Sequence, residues 1–153
     1  MIYMGVDPGR TTGITFVELM DNGLHPSYST ETHLDDLFKV VSGLLDHYRK
    51  KHLFGGVEEV IRGGQLNVDK YDQIRAYTIA TELFKSRGVR YHEVTPHQRA
   101  VLEKFIIVPD SIHGNHARDA YRIAAITFER RSGIDNDRPE TKESKHHARQ
   151  IFD

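Results

Sequence analysis

Apolar residues open the chain in two short runs, Ile2–Val6 and Gly13–Glu18, separated by the turn-forming stretch Asp7-Pro-Gly-Arg-Thr-Thr12. Runs of this length bounded by Gly and Pro predict two strands folded back as an antiparallel hairpin. A third strand is predicted around Tyr28–Thr32. The rhythm then changes. Leu34, Leu37, Phe38, Val41, Leu44, Leu45 and Tyr48 recur at intervals of three and four, which predicts an amphipathic helix. Gly55–Ile61 reads as a strand, followed by the polar loop Arg62-Gly-Gly-Gln65. Ile74, Tyr77, Thr81 and Phe84 mark a second helix that stops near Gly88. Val89–Val94 is a short strand, and Pro96 suits the first turn of a third helix reaching about Phe105. Residues 106–115 read as a loop and His116–Arg131 as a last helix rich in Ala and Ile. From Ser132 onward the chain is polar, with mixed charge and few large apolar residues, which predicts a mobile tail.

This order, β-β-β-α-β-α-β-α-α, predicts an α/β layer with a mixed sheet, in one domain spanning residues 1–131 followed by the tail 132–153. Crossover helices place the strand carrying Glu58 parallel to the first strand and beside it.

Composition narrows the chemistry. A chain of 153 residues is long enough for one substantial core and too short for two lobes closing over a cleft. Zero cysteines exclude disulfides, thiolate zinc sites and cysteine nucleophiles. No apolar run approaches the ~20 residues that span a bilayer, and no basic leader precedes an apolar segment, so a cytoplasmic protein is expected. The formal charge of −1 is neutral in bulk, so any nucleic-acid reading rests on where the charges lie.

Several carboxylates sit where they are hard to explain as solvated surface. Asp7 ends the first apolar run, with Gly5 and Gly9 leaving room for close approach to the backbone. Glu58 and Glu59 interrupt the apolar stretch Gly-Val-Glu-Glu-Val-Ile, and alternation does not decide which of them turns inward. A carboxylate drawn inside without a partner costs several kcal/mol, so such groups need a cation. His116 and Asp119 lie three apart on one helical face with Ala120 and Ile123, while Arg118, Arg122 and Glu129 fall on the other. Hard oxygen donors of this kind suit Mg²⁺ or Mn²⁺ rather than zinc. Two such ions about 4 Å apart activate water and stabilise the leaving oxygen of a phosphodiester. Taken singly, each has an ordinary explanation as a turn former, an edge residue or a local hydrogen bond.

In combination, Gly5-Val-Asp-Pro-Gly-Arg-Thr-Thr-Gly13, Val57-Glu-Glu-Val-Ile61 and His116-Ala-Arg-Asp-Ala120 resemble the motifs of the RuvC family of Holliday-junction resolvases, within the RNase H-like superfamily. The family opens on a GxDPGxxxTG-type strand and turn. It continues with an apolar-Glu strand some fifty residues on, and ends on a (D/H)xxDA helix. The small size is similar to that of compact, phage-type members. The resemblance implies an RNase H-like fold: a five-stranded mixed sheet, its first three strands antiparallel, flanked by helices. It implies Asp7, Glu58, His116 and Asp119 as catalytic metal ligands for two Mg²⁺ ions, with Mn²⁺ able to substitute, in a homodimer that cuts four-way DNA junctions. The chain departs from the family in a turn one residue shorter after Gly9 and in Ile61, where members often carry an aromatic residue. The basic segment before the last helix is only loosely echoed by His97, Arg99 and Lys104.

Arg62, Gln65 and Lys70 follow the Glu58 strand, and Arg99 and Lys104 lie on the third helix. All five are candidates for contact with DNA phosphates. His113 is a candidate for contact with His116, and the second helix around Tyr77 and Phe84 is a candidate pairing surface. Competing readings are a YqgF-type nuclease acting on RNA or single strands and a non-catalytic branched-DNA-binding module. A phosphate-binding turn of the actin-like kinases also resembles Asp7–Gly13, but those enzymes need a second lobe.

Overall fold

The computed structural model describes residues 1–49, 51–60 and 65–136, the last four by backbone alone. Its elements run β1 (Ile2–Asp7), β2 (Thr11–Met20), β3 (Gly23–His33), α1 (Leu34–Tyr48), β4 (Leu53–Glu58), α2 (Val68–Ser86), β5 (Arg90–Val94), α3 (Pro96–Leu102) and α4 (Asn115–Asn136), with a 3-10 turn at Glu103–Phe105. The five strands form one sheet in the order β3-β2-β1-β4-β5. β1, β2 and β3 are antiparallel neighbours, while β4 pairs parallel with β1 and β5 parallel with β4. This is the mixed sheet expected, with the Glu58 strand beside the first. Among the described residues no helix is long and apolar enough to cross a membrane.

Strand alternation divides the core between two layers. Ile2, Met4 and Val6 of β1, with Ile14 and Phe16 of β2, pack against Leu37 and Val41 of α1 and Ala80 and Phe84 of α2. Tyr3, Val17 and Phe54 face the other way, onto Ile123, Ala124 and Phe128 of α4. α4 lies almost on the sheet backbone. A Cβ added at Gly5 would stand 1.9 Å from the carbonyl oxygen of Ala120, and one at Gly13 would stand 1.9 Å from that of His116. At Gly56 it would meet Thr127 Oγ1, also at 1.9 Å. The room beside Asp7 is therefore filled by the helix carrying His116 and Asp119.

Several boundaries differ from the periodicity reading. β2 and β3 are longer, because Asp21-Asn22-Gly23 closes a hairpin whose outer strand is a polar sheet edge with no alternation to see; Gly23 supplies a φ of +114°. α4 continues to Asn136, so Ser132, buried, belongs to the helix, and residues 137–153 of the expected tail lie outside the described residues. Arg118 and Glu129 are not on a solvated face. Arg118 donates to the carbonyls of Pro109 and Ile112 in the loop covering that side of α4. Glu129 is half-buried with Oε2 unpartnered, and burial raises its carboxyl above the usual range. The pairing surface expected around Tyr77 and Phe84 is also corrected. Phe84 is fully buried in the core, and Tyr77 hydrogen-bonds Glu93. The exposed apolar residues at that helix lie at its start, Leu66, Val68 and Tyr71.

Candidate active site

Two strands carry the same short sequence ladder to the same edge. Tyr3-x-Gly5-x-Asp7 on β1 and Phe54-x-Gly56-x-Glu58 on β4 are in parallel register, Tyr3 beside Phe54 and Gly5 beside Gly56. In each, an aromatic ring packs under α4, a glycine lets the helix pass, and a carboxylate emerges where the strand ends. Because both ladders use one face, Asp7 and Glu58 come out together, towards the start of α4. Glu59 is exposed, and its backbone N–H donates to the Val94 carbonyl, which extends the β4–β5 pairing by one step.

α4 brings His116 and Asp119 to the same place. Its start is held by Glu31 of β3, whose Oε1 accepts from the backbone N–H of His116 (2.8 Å) and of Ala117 (3.2 Å). Thr15 Oγ1 donates to the Ala117 carbonyl at 2.8 Å. These two side chains tie the first turn of α4 to β3 and β2. His116 Nδ1 lies 3.1 Å from Asp7 Oδ2.

At the centre of the cluster stands Arg99. Its Nη1 lies 2.6 Å from Glu58 Oε2 and 3.9 Å from Asp7 Oδ1, its Nη2 lies 2.7 Å from Asp119 Oδ2, and its Nε lies 3.5 Å from Glu103 Oε2. Asp119 is also held from outside by Arg122 Nη1, 2.6 Å from Oδ1. Arg99, a candidate for contact with DNA phosphates, is turned inside instead, its side chain 21% exposed. Electrostatics follow the geometry. Burial pushes the Asp7 carboxyl up to about 6; the His116 hydrogen bond opposes the rise, Glu58 and Asp119 add to it, and Arg99 opposes it. Burial also works against the charged Arg99, but the hydrogen bond and charge of Glu58, with Asp119 and Asp7, outweigh it and hold the guanidinium above arginine's ordinary value.

The remaining candidates are spread out. Lys70 shares a hollow of about 270 Å³ with Glu58, Glu59, Asn67 and Gln73. Gln65 and His113 are exposed, and Lys104 sits over the Phe105 ring at 5.2 Å. Arg62 lies outside the described residues, as does Ile61. Chain pattern did not single out Glu31 or the central role of Arg99. Glu31 binds a helix 85 positions later, and nothing local to a polar edge strand marks that pairing.

The donor set suits a hard divalent ion: Asp7, Glu58 and Asp119 gather around one cation, and the His116 imidazole hydrogen-bonds Asp7. As they stand, no three such donors among the described residues form a ready-made metal cage. The guanidinium is what they surround.

No family model matches the chain, and no curated protein matches it in sequence. Among solved structures it is similar to T. thermophilus RuvC in complex with a Holliday junction substrate, at a TM-score of 0.69 and 16% identity, covering 88% of this chain and 96% of that one. Another Thermus thermophilus RuvC structure gives a TM-score of 0.67 at 16% identity, covering 88% and 97%. At this identity the likeness is one of fold: the chain has the RNase H-like fold of RuvC.

Proposed function

We propose that this protein is a metal-dependent, structure-selective endodeoxyribonuclease that cuts four-way DNA junctions by phosphodiester hydrolysis. One observation carries the reading: Asp7, Glu58 and Asp119, from three separate elements, converge on a single cation at the carboxyl ends of the central strands. Structural ion pairs seldom need three carboxylates around one charge, because each buried anion adds a desolvation cost. Asp7, Glu58, Asp119 and His116 would hold Mg²⁺ or Mn²⁺, two ions per site. When bound, such ions activate water and stabilise the leaving oxygen.

The chain's own residues set the rest. Gly5, Gly13 and Gly56 let α4 lie close on the sheet, and Asp119 joins Asp7 and Glu58 around Arg99. Glu31 and Thr15 fix the first turn, and His116 orients Asp7 through its hydrogen bond. Lys70, in the hollow beside Glu58, would contact DNA phosphates, and Arg62, Gln65 and Lys104 are further candidates for that role. A four-way junction presents two equivalent strands, so a homodimer with one site per protomer matches its symmetry.

The Arg99 ion pairs favour a second reading, a branched-DNA-binding module whose carboxylates serve only to anchor α3. One experiment separates the two. Purified protein is incubated with four-way junction, flap, single-stranded DNA and RNA in Mg²⁺, Mn²⁺ or EDTA, and its mass is measured by sedimentation with and without junction. The nuclease reading expects paired, metal-dependent cuts in the junction by a dimer. Binding without cleavage in either metal overturns it, and cleavage confined to RNA or single strands moves it to the YqgF-type alternative.

A further inference from the structure

We propose that Arg99 is the site's resident cation: it holds Asp7, Glu58 and Asp119 in place in the metal-free protein, and must swing out before a divalent ion binds among them. The proposal rests on the metal-dependent reading above.

The contact geometry makes the two occupants exclusive. Arg99 takes Glu58 Oε2 and Asp119 Oδ2 at 2.6 and 2.7 Å, with Asp7 Oδ1 at 3.9 Å from the same Nη1. These are the oxygens a hard divalent ion needs, at about 2.1 Å for Mg²⁺. The guanidinium lies between Glu58 Oε2 and Asp119 Oδ2 at hydrogen-bond distance from both, so an ion cannot take those oxygens from that side until it leaves. The cluster is also too densely acidic to remain empty. With Arg99 withdrawn and no ion in its place, three carboxylates would face one another, Asp7 with a side chain only 12% exposed.

The fold lets Arg99 move. α3 has seven residues and buries none of them. It is fixed by the Thr95–Gln98 capping box at its start, by the ion pairs of Arg99 at mid-helix, and by half-buried Leu102 at its end, which packs against the core beneath α4. The guanidinium can therefore leave the carboxylates without opening the core, whereas Asp7, Glu58 and Asp119 stand on β1, β4 and α4, which share the buried layers. Arg122 differs: it holds Asp119 through the other oxygen, Oδ1, and leaves the face towards Glu58 open.

Mn²⁺ affinity is measured by calorimetry on the full chain for wild type, Arg99→Gln, Arg99→Lys, Lys104→Gln and Asp7→Asn, alongside metal-free melting. Arg99→Gln is expected to bind Mn²⁺ about tenfold or more tightly than wild type. Arg99→Lys should fall between, since an ammonium cannot bridge Glu58 and Asp119 as a planar fork does. Lys104→Gln should change little. Metal-free Arg99→Gln should melt below wild type, and saturating Mn²⁺ should close the gap. Should Arg99→Gln fold poorly, the Arg99 Nε–H resonance of the wild type, identified by its loss in Arg99→Lys, is followed during a Mg²⁺ titration. It is expected to lose its protection from exchange as Mg²⁺ saturates.

Equal affinities for Arg99→Gln and wild type, an equal gain in Lys104→Gln, or an Arg99 resonance unmoved by Mg²⁺ overturns the proposal. The metal site itself survives any of these if Asp7→Asn still weakens binding. If Mn²⁺ binds to none of the proteins, or binds as well to Asp7→Asn, the nuclease reading fails and the proposal with it.

Discussion

The two ends of the central strands are charged in opposite ways and on different principles. At the carboxyl ends of β1 and β4, Asp7 and Glu58 are drawn inside and matched by an internal cation, Arg99. At the amino ends of β1, β4 and β5, the charges are basic and mostly wet. Two adjoining hollows of about 340 and 310 Å³ share Lys51, Leu53 and Gly88; Arg49 and Arg87 line one, Arg90 and Arg131 the other. Arg87 pairs with Asp46, while Arg131 lies over the Phe54 ring at 4.8 Å. Lys51 and Arg90 are exposed. Water can solvate the exposed cations of the basic end, so none of them has to be matched by an opposite charge to be tolerated there. At the acidic end each carboxylate is tolerated only because a cation is held within reach. Mutual dependence under burial, more than the density of charge, distinguishes the acidic end from the solvated one.

The largest test of that contrast is catalytic. Asp7→Asn and Asp119→His are expected to lower metal-dependent junction cleavage by about 10³-fold, on the scale of losing a transition-state contact. His116→Asp, which keeps an anionic donor at that place, should retain much of the activity, and Arg90→Gln and Arg131→Gln nearly all of it. Rates under single-turnover conditions decide. If the Arg90 variant is as impaired as Asp7→Asn, the two ends do not differ in the way described.

Next in size is the packing that makes the acidic end possible. Gly13→Ala drives a methyl into the backbone of His116 and should cost about 3 kcal/mol or more. That corresponds to a melting temperature lower by roughly 6–12 °C for a domain of this size. Gly43→Ala, where a Cβ meets nothing within 4 Å, is the control and should not destabilise. Equal melting of the two variants would show that α4 can shift away without loss.

A third test works through pH. The folded protein holds the Asp7 proton more tightly than the unfolded chain, with a pKa of about 6 against 3.8. The carboxyl therefore costs nothing below pH 4, and its penalty grows from pH 4 to about 6 and is constant above. The full penalty is at most about 3 kcal/mol. In metal-free buffer Asp7→Asn should accordingly melt several degrees above wild type at pH 8, with the advantage fading by pH 4. A stabilisation that does not depend on pH would trace to something other than this carboxyl.

The smallest effect concerns DNA affinity. Lys70→Gln, beside Glu58, should reduce the slope of log affinity against log salt by about 0.9, the loss of one phosphate contact. Arg90→Gln at the far end should leave the slope unchanged, and an equal loss in both would mean that DNA reaches the amino end as well.

What could be read from the chain was what repeats locally. Short apolar runs bounded by Gly and Pro gave β1 and β2, three-four spacing gave α1, and the crossover of a helix between strands gave the parallel placement of Glu58. The ladders Tyr3-x-Gly5-x-Asp7 and Phe54-x-Gly56-x-Glu58 were also there to be read, and they separate Glu58 from Glu59 by parity where apolar character does not. Arg99 was legible as a cation near the site but not as its centre. That role depends on where α3 sits, and a helix without a buried residue leaves no periodic trace. The exposed outer face assigned to α4 failed for a related reason. The loop covering Arg118 has no regular pattern, and its carbonyls satisfy a charge that looks solvent-bound in isolation.

The grip of Glu31 on α4 has a consequence in time as well as in space. The first amides of a helix have no partner within it and ordinarily exchange with solvent almost as fast as a loop does. Here the amides of His116 and Ala117 are tied to a carboxylate on β3, a strand paired on one side only. Deuterium should enter those two amides when the outer hairpin opens, long before the sheet as a whole unfolds. The lifetime of a solvent-facing hairpin thus sets how long the helix bearing two of the site's donors keeps its alignment.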